Sequence, residues 1–180
     1  MNRDMISEEI KLASEALKEL PVICDAELIG DLYRCASHSD WTFYARLYRK
    51  DKALLCYYAR TECEWLGGRT SPSQSFMDIV TRRKNCFLNT KVICGIRCFP
   101  DSCEETFSKI MRTELPEQRQ DGMLIDGNTY FLRKYDDGEP CRELLTYTPW
   151  LYMTEEDAEC LLNLFSMIQY GDEHKSIEIW

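Results

Sequence analysis

Three groups of residues have types and spacings that could do chemistry. The first is cationic and aromatic. Arg46, Arg49, Lys50 and Lys52 are interleaved with Tyr44 and Tyr48, and Tyr57, Tyr58 and Arg60 follow closely. Cations that meet phosphates, beside rings that stack on bases, would let a sheet surface hold a single nucleic-acid strand. The same residues also serve as ordinary strand formers, with Arg and Lys stems lying across Tyr rings. No RNP-type or Gly-Xaa-Xaa-Gly signature accompanies them.

The second group is thiols. Of ten cysteines, Cys86, Cys94, Cys98 and Cys103 cluster in the middle of the chain. Zinc sites need paired cysteines at short spacing, and only Cys94/Cys98 and Cys98/Cys103 fit that loosely. Val92, Cys94, Ile96 and Cys98 alternate instead like one apolar face of a strand. Cys103 falls in the first turn of a helix, where the dipole favours thiolate and the neighbouring Glu104 and Glu105 oppose it. A nucleophile also needs a general base. The two histidines, His38 and His174, are both distant in sequence from Cys103. A thiol-dependent enzyme centred on Cys103 stands as one alternative.

The third group is carboxylates. Glu155, Glu156, Asp157 and Glu159 crowd the start of the last helix, and Asp172 and Glu173 follow in the tail. Acids at a helix N-terminus stabilise it, and outward-facing acids can also steer a basic partner. Gly-rich phosphate loops, Gly-Xaa-Ser-Xaa-Gly elbows and His-Glu-Xaa-Xaa-His are absent, so no cofactor and no metal are implied.

Charge is sorted along the chain. Residues 41–100 hold eleven Lys/Arg against four Asp/Glu, whereas residues 1–40 hold four against nine and residues 101–180 seven against eighteen. Such sorting creates either two opposite surfaces or segments that neutralise each other. The opening residues Met1 to Glu9 lack an apolar run, and no stretch is long and apolar enough to span a bilayer. The expectation is a cytoplasmic protein with no membrane contact, in which most cysteines are free thiols.

The elements that must position these groups follow from periodicity. Ile6, Ile10, Ala13, Leu17 and Leu20 form one stripe of a helix over 7–20, with Ser7 as its cap and Pro21 as its stop. The spacing of Leu28, Ile29, Leu32 and Tyr33 predicts a second helix over 25–37. Alternation at Trp41, Phe43, Ala45 and Leu47 predicts a hairpin over 41–60, turning at Lys50-Asp51-Lys52. A mobile loop is expected at 67–75, a short helix at 76–82 and a strand at 91–99. Two overlapping capping boxes, Asp101 with Glu104 and Ser102 with Glu105, start a helix over 102–113. Asp-Gly turns divide a meander over 122–147, and Thr154 opens a helix over 154–169. Ile177 and Ile179 suggest an edge strand or a docked tail.

These elements imply a single α+β domain over 1–180. Its antiparallel sheet should have about five or six strands, with helices on one face and the other partly solvated. The functional expectation is a non-enzymatic acidic interaction protein that binds a basic protein through its C-terminal half. This is the physical profile of small immunity proteins and of inhibitors of nucleic-acid-binding machinery, although no residue signature assigns the chain to either. The principal alternative is a nucleic-acid-binding module using Tyr44, Arg46, Tyr48, Arg49, Lys50 and Lys52.

Overall fold

The computed structural model describes residues 3–35, 42–51, 53–65, 88–100, 102–114, 128–170 and 175–178. Strands β1 (Glu27–Cys35), β2 (Phe43–Lys50), β3 (Ala53–Trp65) and β4 (Leu88–Pro100) form an antiparallel meander. Strand β5 (Thr129–Asp136) returns to pair with the free side of β1, and β6 (Glu139–Tyr147) completes a hairpin with it. A short strand, β7 (Lys175–Glu178), pairs antiparallel with β4. The sheet has seven strands in the order β6-β5-β1-β2-β3-β4-β7. With helices α1 (Arg3–Leu17), α2 (Ser102–Ile110) and α3 (Glu155–Tyr170), this is an α+β fold. The expected short helix at 76–82, the loop at 67–75 and the strand near 122–125 lie outside the described residues.

Local chemistry accounts for most boundaries. The stripe Ile6, Ile10, Ala13 and Leu17 is buried on α1, and the turn after it closes with Leu20 N donating to the Leu17 carbonyl at 3.1 Å before Pro21. Ser7 lies inside this helix, which begins at Arg3, so it is not the cap. The β5–β6 connection is the two-residue Asp137-Gly138, both with positive φ (49° and 80°). That turn matches the right-handed twist of the strands it joins. On α3, the Asp157 N–H donates to Thr154 Oγ1 at 3.2 Å, satisfying one of the open donors of the first turn.

Residues 25–37 do not form a helix; most of the segment is β1. The register shifts between Leu28 and Gly30, so Ile29 is an extra residue in the pairing with β2. That bulge places two apolar residues in succession and produces helix-like spacing from a strand. Gly30 is required here: a Cβ on it would stand 2.4 Å from Cζ of Phe107. β1 also sits centrally, and every residue from Ile29 to Arg34 is buried. A strand covered on both faces loses the polar-apolar alternation that marks a half-buried one.

The sheet is covered on both sides, contrary to the expectation of helices on one face. α1 packs with Tyr33, Tyr44, Tyr57, Ala59, Val92, Cys94 and Phe131. On the opposite face α2 and α3 bury Phe107, Ile110, Leu161, Phe165 and Ile168 against Leu32, Phe43, Ala45, Leu47 and Tyr58. The sheet is therefore the middle layer of three. Among the described residues, no helix is long and apolar enough to cross a membrane.

Candidate functional site

The basic hairpin is engaged internally. Arg46, on β2, donates from Nε to Asp31 Oδ1 at 3.0 Å, and the Asp31 side chain is wholly buried on β1. Asp31 also accepts from Tyr44 Oη at 2.9 Å and from Tyr135 Oη at 2.6 Å. Ser14, on α1, donates to the Ile10 carbonyl at 2.7 Å and stands 3.1 Å from Tyr44 Oη. The network ties α1, β1, β2 and β5 together. Burial, then the Asp31 charge, raises the Tyr44 phenol well above its ordinary value, and the same causes raise Tyr135. Both therefore stay protonated donors. Burial opposes the Arg46 cation, but the Asp31 carboxylate beside it favours the charged form, and its pKa stays above the ordinary value.

Arg49 is clamped between two acids. Its Nε donates to Glu104 Oε2 at 2.9 Å and its Nη1 to Glu27 Oε2 at 2.7 Å, and Nη2 pairs with Glu104 Oε1. Glu104 first, and then Glu27, raise its pKa above the ordinary value. Lys50 Nζ donates to the Cys24 carbonyl at 2.9 Å. Lys52 lies outside the described residues. Tyr44 is 0% exposed and Tyr48 packs edge-on to Tyr57 with ring centroids 5.6 Å apart. A base cannot reach the Tyr44 ring, so the proposed stacking surface is not assembled as the sequence suggested. α1 covers it.

Arg97 of β4 is only 2% exposed and lies 4.3 Å over the Tyr58 ring. Its Nη1 donates to the Ile168 carbonyl, and Arg34 Nη1 donates to Gln169 Oε1 at 2.6 Å. α3 has no basic residue in its own last turn, so these two sheet arginines supply positive charge to its C-terminal end.

Cys94, Cys98 and Cys103 do not converge. Cys94 lies under α1, Cys98 is exposed, and Cys103 is 3% exposed in the core of the other face, with Sγ 3.4 Å from Met167 Sδ. A substrate has no access to Cys103, which removes the geometry that a thiol enzyme at this position requires. Burial pushes the Cys56 and Cys94 thiols up to about 12. Cys86 lies outside the described residues. Among the described residues no group of three or more His, Cys, Asp or Glu side chains could hold a metal.

The acids of α3 face the other way. Glu155, Glu156 and Glu159 are exposed and Asp157 is half-buried, its carboxylate accepting from the Thr154 hydroxyl at 2.9 Å. Lys109, on α2, reaches Glu156 at 2.6 Å. Asp172 and Glu173 lie outside the described residues. A groove of about 470 Å³ runs beside α2, lined by Arg49, Asp51, Glu104, Ser108, Lys109 and Arg112. Its Arg49 and Glu104 pair with each other, and its Lys109 pairs with Glu156.

Directly before this helix lies a feature that the sequence reading missed. After β6 the chain enters a 3-10 turn, Pro149–Leu151, that holds Trp150 and Leu151 at 58% and 59% exposure. Thr148 precedes it in the left-handed region, at φ 47° and ψ 74°. A β-branched residue there is strained, by roughly 1–3 kcal/mol. The Thr148 hydroxyl is also buried without a hydrogen-bond partner. Its backbone is well held, with N donating to the Asn128 carbonyl at 3.1 Å and O accepting from Leu151 N at 2.9 Å. The available sequence signal was an apolar pair after a proline, claimed by neither the strand nor the helix period.

Comparison with protein-family models, with curated proteins and with solved structures returned no match.

Proposed function

We propose that this protein is a non-enzymatic interaction protein that binds a basic partner protein through the acids opening α3. One observation carries the reading, and it concerns where the sorted charges go. Three cations of the middle segment turn inward or onto acids of the other segments: Arg46 to Asp31, Arg49 to Glu27 and Glu104, and Arg97 beneath α3. The acids at Glu155, Glu156 and Glu159 face water, and Lys109 pairs with Glu156. Negative potential at that end of the molecule steers a positively charged surface toward it and makes association fast and salt-sensitive. An immunity or inhibitor role, neutralising a toxin or a nucleic-acid-binding machine in the cytoplasm, is the biological form we assign to this recognition.

The test compares baits. Wild-type protein and a Glu155→Gln, Glu156→Gln, Glu159→Gln variant are incubated with nuclease-treated lysate of the source cell, and retained proteins are identified. Asp157 is kept because it serves the helix cap. The reading expects a basic protein that wild type retains at low salt, that elutes as salt rises, and that the variant fails to retain. Retention that the variant preserves, or that nuclease treatment abolishes, contradicts it.

A further inference from the structure

We infer that Trp150 and Leu151 form the apolar anchor of this interface, fitting a pocket on the partner that is ringed by Lys and Arg. This deepens the proposed function and rests on it. Single exposed apolar residues are common on protein surfaces and need no explanation. These two are adjacent in the chain and project from one turn, and among the residues whose exposure is described the other exposed large apolar side chains are Met5 and Val22. The turn carries two local costs: a threonine in the left-handed region and a buried hydroxyl without a partner. Strain of this kind persists where the surroundings over-determine it, and it clusters at functional sites.

Backbone hydrogen bonds also close the turn. Tyr152 N and Met153 N both donate to the Pro149 carbonyl, at 3.0 and 2.8 Å, so the pair is presented before any partner arrives. Preorganised aromatic anchors lose little freedom on binding, and Trp is among the residues that most often dominate interface energies.

Charge complementarity selects the occupant. Within a few residues of the anchor the chain presents Glu155, Glu156 and Glu159. An apolar centre beside a polar, charged rim is the usual anatomy of a protein interface. Lys109 offsets Glu156, and Glu155 and Glu159 leave the rim net negative, so the surface that fits over Trp150 is apolar at its centre and cationic at its edge. A second copy of this acidic chain would bring like charges together, and a polyanionic nucleic acid would be repelled.

The experiment selects from a random dodecapeptide display library on the folded wild-type protein, sequences the enriched peptides, and measures their affinity for variants. The inference expects enriched peptides that combine two or more Lys or Arg with a bulky apolar residue. Trp150→Ala should weaken them at least about 30-fold at every salt concentration, the scale of an interface hot spot. Leu151→Ala should weaken them less. Both side chains are exposed, so the variants keep the wild-type circular dichroism. Basic peptides that bind Trp150→Ala as tightly as wild type overturn the anchor and leave the proposed function standing. Apolar peptides without cations, lost on Trp150→Ala, keep the anchor and contradict the basic partner. Acidic peptides, or none enriched, overturn both.

Discussion

Arg46 Nε lies 3.0 Å from Oδ1 of the wholly buried Asp31, so the hairpin that looks most suited to gripping phosphate holds one of its cations against a carboxylate inside the fold. The pair is part of a closed set in which Tyr44 and Tyr135 donate to the same carboxylate. Such a group is stabilising only while every member has its partner.

Removing the carboxylate should therefore be severe. Breaking a buried ion pair from one side costs about 3–5 kcal/mol, and the partial exposure of Arg46 lowers the expectation for Asp31→Ala to about 2–4 kcal/mol. Urea unfolding followed by circular dichroism measures this. A loss under about 1 kcal/mol would mean that the network contributes little.

The buried phenols set an alkaline limit to stability. Burial and the Asp31 charge raise Tyr44 and Tyr135 above the unfolded value of about 10. Between that value and the higher folded one, the unfolded chain has lost protons that the native protein retains, so stability falls as pH rises. Below pH about 10 this contribution is fully present. Phenolate absorbance in the folded protein should show tyrosines resisting ionisation until unfolding. A single titration near pH 10 with the fold intact would contradict the burial of this set.

Thr148 offers a stability change of opposite sign. Glycine adopts positive φ without steric penalty and removes the unpartnered hydroxyl, against a larger loss of backbone freedom on folding. Thr148→Gly should stabilise the protein by about 1 kcal/mol in thermal unfolding. Destabilisation by a similar amount would show that the threonine is held by packing and is not strained.

Thiol reactivity should follow exposure. Cys24, Cys98 and Cys141 are exposed, whereas Cys56, Cys94 and Cys103 are buried. Iodoacetamide labelling of folded protein, mapped by mass spectrometry, should modify the first three well before the second three. Early labelling of Cys103 would restore the enzyme reading that its packing against Met167 removes.

The parts of this fold that were legible in sequence are those with a local physical cause. Thr154 and Asp157 make a cap wherever they stand, and Phe43, Ala45 and Leu47 alternate because β2 needs one apolar face for α2 and α3. β1 was misread because its pattern reports two buried faces and a bulge at Ile29, neither of which is visible from the strand alone. Tyr44 looked like a surface ring for a related reason: nothing nearby in sequence announces that α1 lies over it. The charge sorting was plain in the composition, but which charges meet one another depends on pairings such as Arg49 with Glu104, fifty-five residues apart. Trp150 was invisible as a site because exposure belongs to the folded surface and not to the residue type.

The central claim is that positive charge is turned inward and negative charge outward at the start of α3, and near-surface electrostatic potential measures it directly. Paramagnetic relaxation of amide protons by a cationic and by an anionic nitroxide, compared residue by residue, reports that potential. The account predicts strongly negative values from Trp150 to Glu159 and values near neutral from Tyr44 to Lys50. Positive potential along the hairpin, with a neutral start to α3, would contradict it.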